Sequence, residues 1–416
     1  MKKVLFVATV DSHIRHFHIP YLKLFHDKGF EVHVATADDE GEKFDYCDKK
    51  HKITFERSPF KLNNLKAVNQ MVSLIKEEKF DVIHCHTPMG SVVTRLAVRK
   101  LRRNCKHNDD VQRANKETIS SGAQCAPQED STLWSPNTMQ VIYTAHGFHF
   151  FKGAPLKNWL IYYPIEKWLS KYTDKLITIN KEDYEYAKKF KAKKVYMIDG
   201  IGVDGNKFNV QLSNDEKKKL KKELSSISTS FKILDDDIVI TYVAELIHRK
   251  HQDFLIKAVS DILKKEDNQE IYSKIKVLIV GTGVLKEKYQ KLIDDLGLSN
   301  HIVLTGYRKD VPRIFNITDL CVSTSRQEGL GLNLIEGALC NVPLLASNVR
   351  GHNEILDDGN NGFLYEPDNY TDFEKKLCKL VKDNKLRIRM SKKAKQSVHR
   401  FLLSNSVKEM KKIYEE

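Results

Sequence analysis

Glu328 and Glu336 lie either side of a glycine-rich step in the segment STSRQEGLGLNLIEGALCNVPLLAS. The apolar run ending at Ser325 predicts a buried strand, and the loop after it carries Glu328, Gly329, Leu330 and Gly331. A helix beginning near Leu332 then carries Glu336 about one turn in. Glycines let backbone N–H groups approach a ligand closely, at the positive end of a helix dipole. Amides for phosphate and sugar oxygens, with carboxylates for hydroxyls, suit a phosphorylated sugar. The plainer alternative is two solvated acids on a strand–loop–helix, because two Glu at this separation are common.

Other segments offer groups of matching chemistry. Arg249 and Lys250, in YVAELIHRKHQDFLIKA, are cations at or just before a helix start. Such cations can neutralise a departing diphosphate, whose charge grows as it leaves. VLIVGTGVLKEKY holds Gly281 and Gly283 in a strand–turn–helix, which by itself predicts only a tight turn. LTGYRKDVPRIF puts Tyr307 and Arg308 just after another strand. VIYTAHGFHFF places His146 at the carboxyl end of a strand, with His149 a weaker candidate beyond Gly147. His84 and His86 alternate in DVIHCHTP and so point the same way. A metal set of His84, His86 and His146 is set aside, because no carboxylate accompanies it at a local ligand spacing, and no metal is expected. TVDSHIRHFHIPYLKLF gathers Asp11, His13, Arg15 and His16 at the first strand–helix turn, where helix capping with solvated side chains is the bland reading.

These residues need elements to hold them. Strand-like runs recur with helical segments between: VLFVATV, EVHVATA, KITFERS, DVIHCH, QVIYTAH, KLITIN and KVYMID, then IVITYVAEL, IKVLIVGTG, HIVLTGY, LCVSTS, PLLAS and GFLYEP. Continuous Val/Ile/Leu runs alternating with helices predict parallel sheets covered on both faces. Two such series predict an α/β protein of two doubly wound, Rossmann-like domains facing across a cleft. The expected boundaries are 1–204, 205–390 and a basic C-terminal helix over 391–416. Residues 102–140 interrupt the rhythm. They are polar, show no clear period, and predict an inserted, partly disordered loop.

At 416 residues the chain has room for two domains, and nothing in its composition suggests wholesale disorder. MKKVLFVATVDSH reads as a first core strand rather than a signal peptide, since its apolar run stops at Asp11 without a cleavage site. No apolar run is long enough to span a bilayer. The seven cysteines include no CxxC pair, which predicts reduced thiols in a cytosol and no zinc site. Most of the net charge of +14 comes from 375–412, where fourteen Lys and Arg face only Asp383 and Glu409. This basic stretch predicts either contact with an anionic membrane surface or a solvated helix face. Nucleic acid is disfavoured, because no aromatic–basic stacking pattern accompanies the charge.

Glu328-Gly-Leu-Gly-Leu-Asn-Leu-Ile-Glu336, followed by Gly337-Ala338 and Val342-Pro343, resembles the E-x7-E signature of family 4 retaining glycosyltransferases, which have the GT-B fold. The resemblance spans nearly the whole chain outside 102–140. It implies a C-terminal helix that crosses back to the first domain. It implies that Glu328, with the amides near Gly329, Leu330 and Gly331, orients a donor sugar, and that Glu336 holds the ribose. Lys250, helped by Arg249, would stabilise the diphosphate. Gly283 would approach the nucleotide by its backbone, Tyr307 or Arg308 would lie by the base, and His146 would support the reacting face. The family arginine is replaced by Glu245, which cannot pair with phosphate.

The first turn and HGFHFFKGAPLKNWLIYYPIEKWL look like the bacterial exopolysaccharide and capsule subgroup, which implies that Asp11, His13, Arg15 and His16, with His86, lie on the acceptor side. The implied activity is transfer of a hexose or N-acetylhexosamine, with retention, from a nucleotide-sugar donor (UDP-linked) to a lipid-linked or glycan acceptor. The implied place is the inner face of the cytoplasmic membrane, peripherally held, with no cofactor. A nucleotide-sugar 2-epimerase and a non-catalytic nucleotide-sugar-binding scaffold are the alternatives. The oligomeric state is not legible.

Overall fold

The computed structural model describes residues 1–38, 43–56, 58–59, 61–119, 134–265 and 269–416, with the backbone alone for 106–119. The chain divides into two compact units: Met1–Ile198 with Glu409–Glu416, and Asp199–Lys408.

The first unit is built on β1 (Lys3–Val7), β2 (Glu31–Thr36), β3 (Lys49–Lys52), β4 (Val82–Cys85), β5 (Gln140–Ala145), β6 (Lys175–Thr178) and β7 (Lys194–Met197). They form one sheet in the order β3-β2-β1-β4-β5-β6-β7, parallel throughout. The second unit contains β8 (Ile238–Val243), β9 (Ile275–Val280), β10 (Ile302–Gly306), β11 (Leu320–Ser323), β12 (Leu344–Ser347) and β13 (Phe363–Tyr365). Their order is β10-β9-β8-β11-β12-β13, again parallel.

Alternation along the strands explains the continuous apolar runs. Ile240, Tyr242, Val277 and Ile279 enter one core of the second unit. Val239, Leu278 and Val280 enter another, with Leu220, Leu224 and Phe231. Both faces of this sheet are therefore covered, and its strands are apolar at most positions on either face. Each sheet reverses its strand order once, between β1 and β4 and between β8 and β11. In open α/β sheets ligands bind at such a reversal, beyond the carboxyl ends of the strands.

Three expectations are corrected. The third strand is Lys49–Lys52, not the KITFERS run. It is an edge strand and pairs through its backbone, while Ile53 and Phe55 turn into the core after it. Residues 102–119 are not a loop, because one helix runs from Pro88 to Ile119. Val93, Ala97, Val98 and Leu101 anchor its first half in the core. The rest of the expected insertion, 120–133, lies outside the described residues. At its far end Trp134 packs on the same core and donates its indole N–H to the carbonyl of Phe80 at 2.8 Å.

The basic stretch is not one helix from 391. It comprises Tyr370–Lys382, Asn384–Ser397, a 3₁₀ turn at Val398–Phe401, and Leu403–Glu415. Asp383 makes the first break, its carboxylate capping the backbone N–H of Leu386 at 2.9 Å. The last helix ends in the first unit: Tyr414 bonds His84, Glu415 pairs with Lys28, and Glu416 accepts from Tyr196.

Candidate active site

In the second unit the order reversal brings together the loops that follow β8 and β11. After β8 the chain passes a 3₁₀ turn, His248–Lys250, then His251 in the left-handed region at φ 57°, and enters the helix Gln252–Leu263. This turn is pinned to the end of β11. The Tyr242 hydroxyl donates to the carbonyl of Lys250 at 2.6 Å, the Thr324 hydroxyl donates to that of His251 at 2.8 Å, and the Arg326 N–H donates to that of Arg249 at 2.9 Å.

The pinned turn aims Lys250 at Glu328, and the two form a close ion pair. Ser325 donates to the same carboxylate oxygen at 2.7 Å, and the Arg249 guanidinium stands 3.7 Å from the other oxygen. Burial pushes the Glu328 carboxyl up, but Lys250, and then His352 and Arg249, outweigh it and hold it below its ordinary value. Glu328 is thus a buried, ionised carboxylate beside two cations, of which Arg249 is the more exposed.

Glu336 differs in kind. It lies partly buried in the helix Leu332–Leu339, and desolvation pushes its carboxyl up to about 7. A carboxyl so placed suits hydroxyl donors. Gly331 precedes this helix because a Cβ there would meet the His352 ring at 2.8 Å. His352 is wholly buried, and burial takes it down to about 4. Its Nδ1 lies 2.8 Å from the carbonyl of Ser347 and so carries the proton, leaving Nε2 an acceptor without a protein partner.

The remaining expected donor residues are less uniform. A Cβ on Gly283 would strike the backbone of Leu246 at 2.5 Å, and one on Gly281 the carbonyl of Ala244 at 2.0 Å. The glycine-rich turn is therefore required by its packing against the loop after β8. Tyr307 follows Gly306 (φ 74°) and is 64% exposed, with its ring free to stack. Arg308 is engaged, paired with Asp310 and with Glu223 at 2.7 Å each. Glu245 is exposed.

In the first unit the reversal lies between β1 and β4, and histidines crowd it. Nε2 of His13, in the helix Asp11–Phe17, is 3.4 Å from Nε2 of His146 after β5. His18 and His86 stack with ring centroids 3.6 Å apart. Burial drives His146, His86 and His18 well below the ordinary histidine range and takes His13 to about 4, so these rings are neutral. Asp11 is committed to the fold. It is buried, ion-paired with Lys50 at 2.6 Å, and accepts from the Thr36 hydroxyl at 2.6 Å. Arg15 lies over the Phe44 ring, and His16 turns back on the carbonyl of Ser12.

Comparison with known proteins decides the family. Residues 225–397 match the model of the glycosyl transferases group 1, and residues 3–105 match that of the glycosyl transferase 4-like domain. EpsD of Bacillus subtilis, a protein named as a glycosyltransferase, is 37% identical over 99% of this chain and 96% of its own. The chain belongs to glycosyltransferase family 4. An Escherichia coli relative of this glycosyltransferase, named UDP-Gal:alpha-D-GlcNAc-diphosphoundecaprenol alpha-1,3-galactosyltransferase, is 25% identical over 97% of this chain and 93% of its own. The solved structure of HepE from Anabaena in complex with UDP superposes with a TM-score of 0.72, at 18% identity and full coverage of both chains. The doubly wound pair is thus the GT-B fold, and the epimerase and scaffold alternatives give way to a transferase.

Within this glycosyltransferase the structure gathers Arg249, Lys250 and Glu328 into one cluster, and His13, His86 and His146 into another. Asp11 and Arg308 it engages elsewhere. Sequence reasoning missed His352, Ser325 and His18. Ser325 sits just beyond the end of β11, and that position was its available signal; His352, in the short helix after β12, and His18, between the helices Asp11–Phe17 and Ile19–His26, had none.

Proposed function

We propose that the enzyme transfers a hexose or N-acetylhexosamine from a UDP-linked donor to a lipid-diphosphate-linked or glycan acceptor, with retention, during assembly of a cell-surface polysaccharide. The observation that carries this reading is the buried Glu328 carboxylate held between Lys250 and Arg249 at the order reversal of the second sheet. The name of the Escherichia coli relative supports a UDP donor and a polyprenyl diphosphate acceptor, and the UDP complex of HepE supports the nucleotide.

The donor diphosphate meets Lys250 and Arg249, which neutralise the charge that builds as it leaves. Because this help peaks in the transition state, it raises turnover more than affinity. Glu328 and the loop amides at Gly329, Leu330 and Gly331 position the sugar, Glu336 receives the ribose hydroxyls, and Tyr307 stacks on the base. His146, a neutral ring, accepts or donates one hydrogen bond at the sugar. Among the described residues no side chain stands as an obvious nucleophile, which favours a front-face path in which the leaving phosphate takes the acceptor's proton. Transfer on this reading needs no metal at the diphosphate and survives chelation.

The helix Asn384–Ser397 buries Leu386, Met390 and Ala394, and leaves Lys385, Ile388, Arg389 and Lys392 exposed on its outer face. This face supports peripheral attachment to an anionic membrane, where the acceptor would lie. No helix among the described residues is long and apolar enough to cross one.

The test is a thermal-shift screen against UDP, GDP, ADP and their sugar conjugates, followed by NMR of the product's anomeric proton. Selective stabilisation by UDP and one UDP-sugar, and a product with the donor's configuration, is the expected result. Absence of any shift at millimolar ligand, or an inverted product, overturns it.

A further inference from the structure

Not every histidine near β1, β4 and β5 is available to a ligand. His84 is occupied, with Nδ1 2.8 Å from the Tyr414 hydroxyl and Nε2 2.8 Å from the Thr144 hydroxyl. His18 is 1% exposed, and neither of its ring nitrogens has a hydrogen-bond partner. A buried imidazole with both nitrogens unmatched is costly unless something else binds it.

We propose that His13, His18 and His146 form a binding site for a divalent transition metal of the zinc type. One nitrogen from each ring can be chosen so that all three lie within 4.8 Å of one another. Two of them, Nε2 of His13 and Nε2 of His146, are already 3.4 Å apart. Tetrahedral zinc with Zn–N bonds of about 2.0–2.1 Å sets its ligand nitrogens about 3.3 Å apart. That pair therefore has the spacing of one edge of a zinc tetrahedron, and a modest turn of His18 would supply the third ligand.

The donor set selects the ion. Metal ligation takes an imidazole lone pair, and His18 offers two ring nitrogens with no protein partner. An all-imidazole set suits zinc, copper, nickel or cobalt, and does not suit magnesium or calcium, which take oxygen ligands. His13 and His146 are only partly buried, which leaves a route in from solvent and a fourth position for an outside ligand. A second grouping, His33, His51 and Glu78, is less suited. There His33 already shares one nitrogen with His51 at 2.9 Å and the other with Glu31 at 3.0 Å.

One consequence rests on the role proposed for His146: zinc on Nε2 competes with the sugar contact and inhibits transfer. The metal site itself does not depend on that role.

The experiment is equilibrium dialysis of the untagged full-length protein against Zn2+, with metal counted by mass spectrometry and Co2+ used for its visible tetrahedral absorption. One equivalent of zinc and a cobalt band are expected. His13→Gln, which alters a half-buried position, and His18→Phe should lose both, with folding checked by circular dichroism, while His33→Asn keeps both. Uptake equal in wild type and both cluster variants, or uptake lost only in His33→Asn, overturns the proposal. So does stabilisation by inorganic phosphate without any by zinc. Stoichiometric zinc with undiminished transfer upholds the site and removes His146 from the sugar.

Discussion

Glu336→Gln gives the sharpest test of the donor site, because it acts on stability and on binding in opposite directions. The Glu336 carboxyl has a folded-state pKa of about 7 against an ordinary 4.5, and desolvation is the cause. The gap corresponds to about 3 kcal/mol. Its sign follows from linkage: the folded state holds this proton more tightly than the unfolded state does. Wild-type stability therefore falls as pH rises from 4.5 through about 7, and above that the full cost is carried. Glutamine keeps the size and removes the charge. The variant should match wild type near pH 4 and exceed it by up to about 3 kcal/mol at pH 8. All three tryptophans, Trp134, Trp159 and Trp168, are in the first unit. Tryptophan fluorescence therefore follows that unit, and far-ultraviolet circular dichroism in urea adds the second. UDP should reverse the ranking, since ribose hydroxyls favour the ionised carboxylate. Wild-type affinity should weaken as pH falls below 7, and the variant should bind poorly at every pH. Parallel pH–stability curves for variant and wild type would refute the desolvation argument. A stabilised variant with unchanged UDP affinity would refute the ribose role alone.

Lys250→Ala should cut turnover by about 10²–10³-fold with a smaller loss of donor affinity, measured by steady-state kinetics; unchanged turnover would remove Lys250 from the diphosphate. Gly283→Ala should lower the unfolding temperature with no ligand present, because its Cβ meets the Leu246 backbone, at a cost of about 1–3 kcal/mol. A stable variant that only lost nucleotide would show that the glycine serves the ligand instead. Tyr307→Ala should weaken UDP binding about tenfold without affecting stability. Arg308→Ala should do the reverse, since its guanidinium is held by Asp310 and Glu223; calorimetry separates the two. Reversing Lys385, Arg389 and Lys392 to Glu should abolish sedimentation with anionic vesicles and leave transfer to a soluble acceptor intact, and persistent sedimentation would rule out that helix face as the contact.

Much of the architecture was legible because a parallel sheet covered on both faces admits almost no polar residue. The thirteen Val/Ile/Leu-rich runs correspond to the thirteen strands found among the described residues, apart from the displaced third. That exception has a physical reason: KKHK is an edge strand whose pairing uses the backbone, so no apolar pattern marks it. The helix through Ile119 escaped for a related reason, since its polar second half shows no hydrophobic period. Within the site, Lys250 and Glu328 were readable because each follows a strand at the order reversal. His352 and His18 were not, because what distinguishes them is an unmatched ring nitrogen in a buried place, and burial of a single histidine leaves no mark on local sequence. Gly283 shows the converse, where a motif glycine proves to be needed by the neighbouring backbone.

The docking of residues 409–416 onto the first unit has a consequence for synthesis. Tyr414 bonds His84, and His84 in turn bonds Thr144 of the neighbouring strand. A nascent chain emerging from the ribosome presents β1–β7 long before Tyr414 exists, and the whole second unit is made in between. The first unit must wait with the Nδ1 side of His84 unmet and the ground for the last helical turn uncovered. Premature termination near the end of the message would therefore injure the part of the enzyme that was translated first.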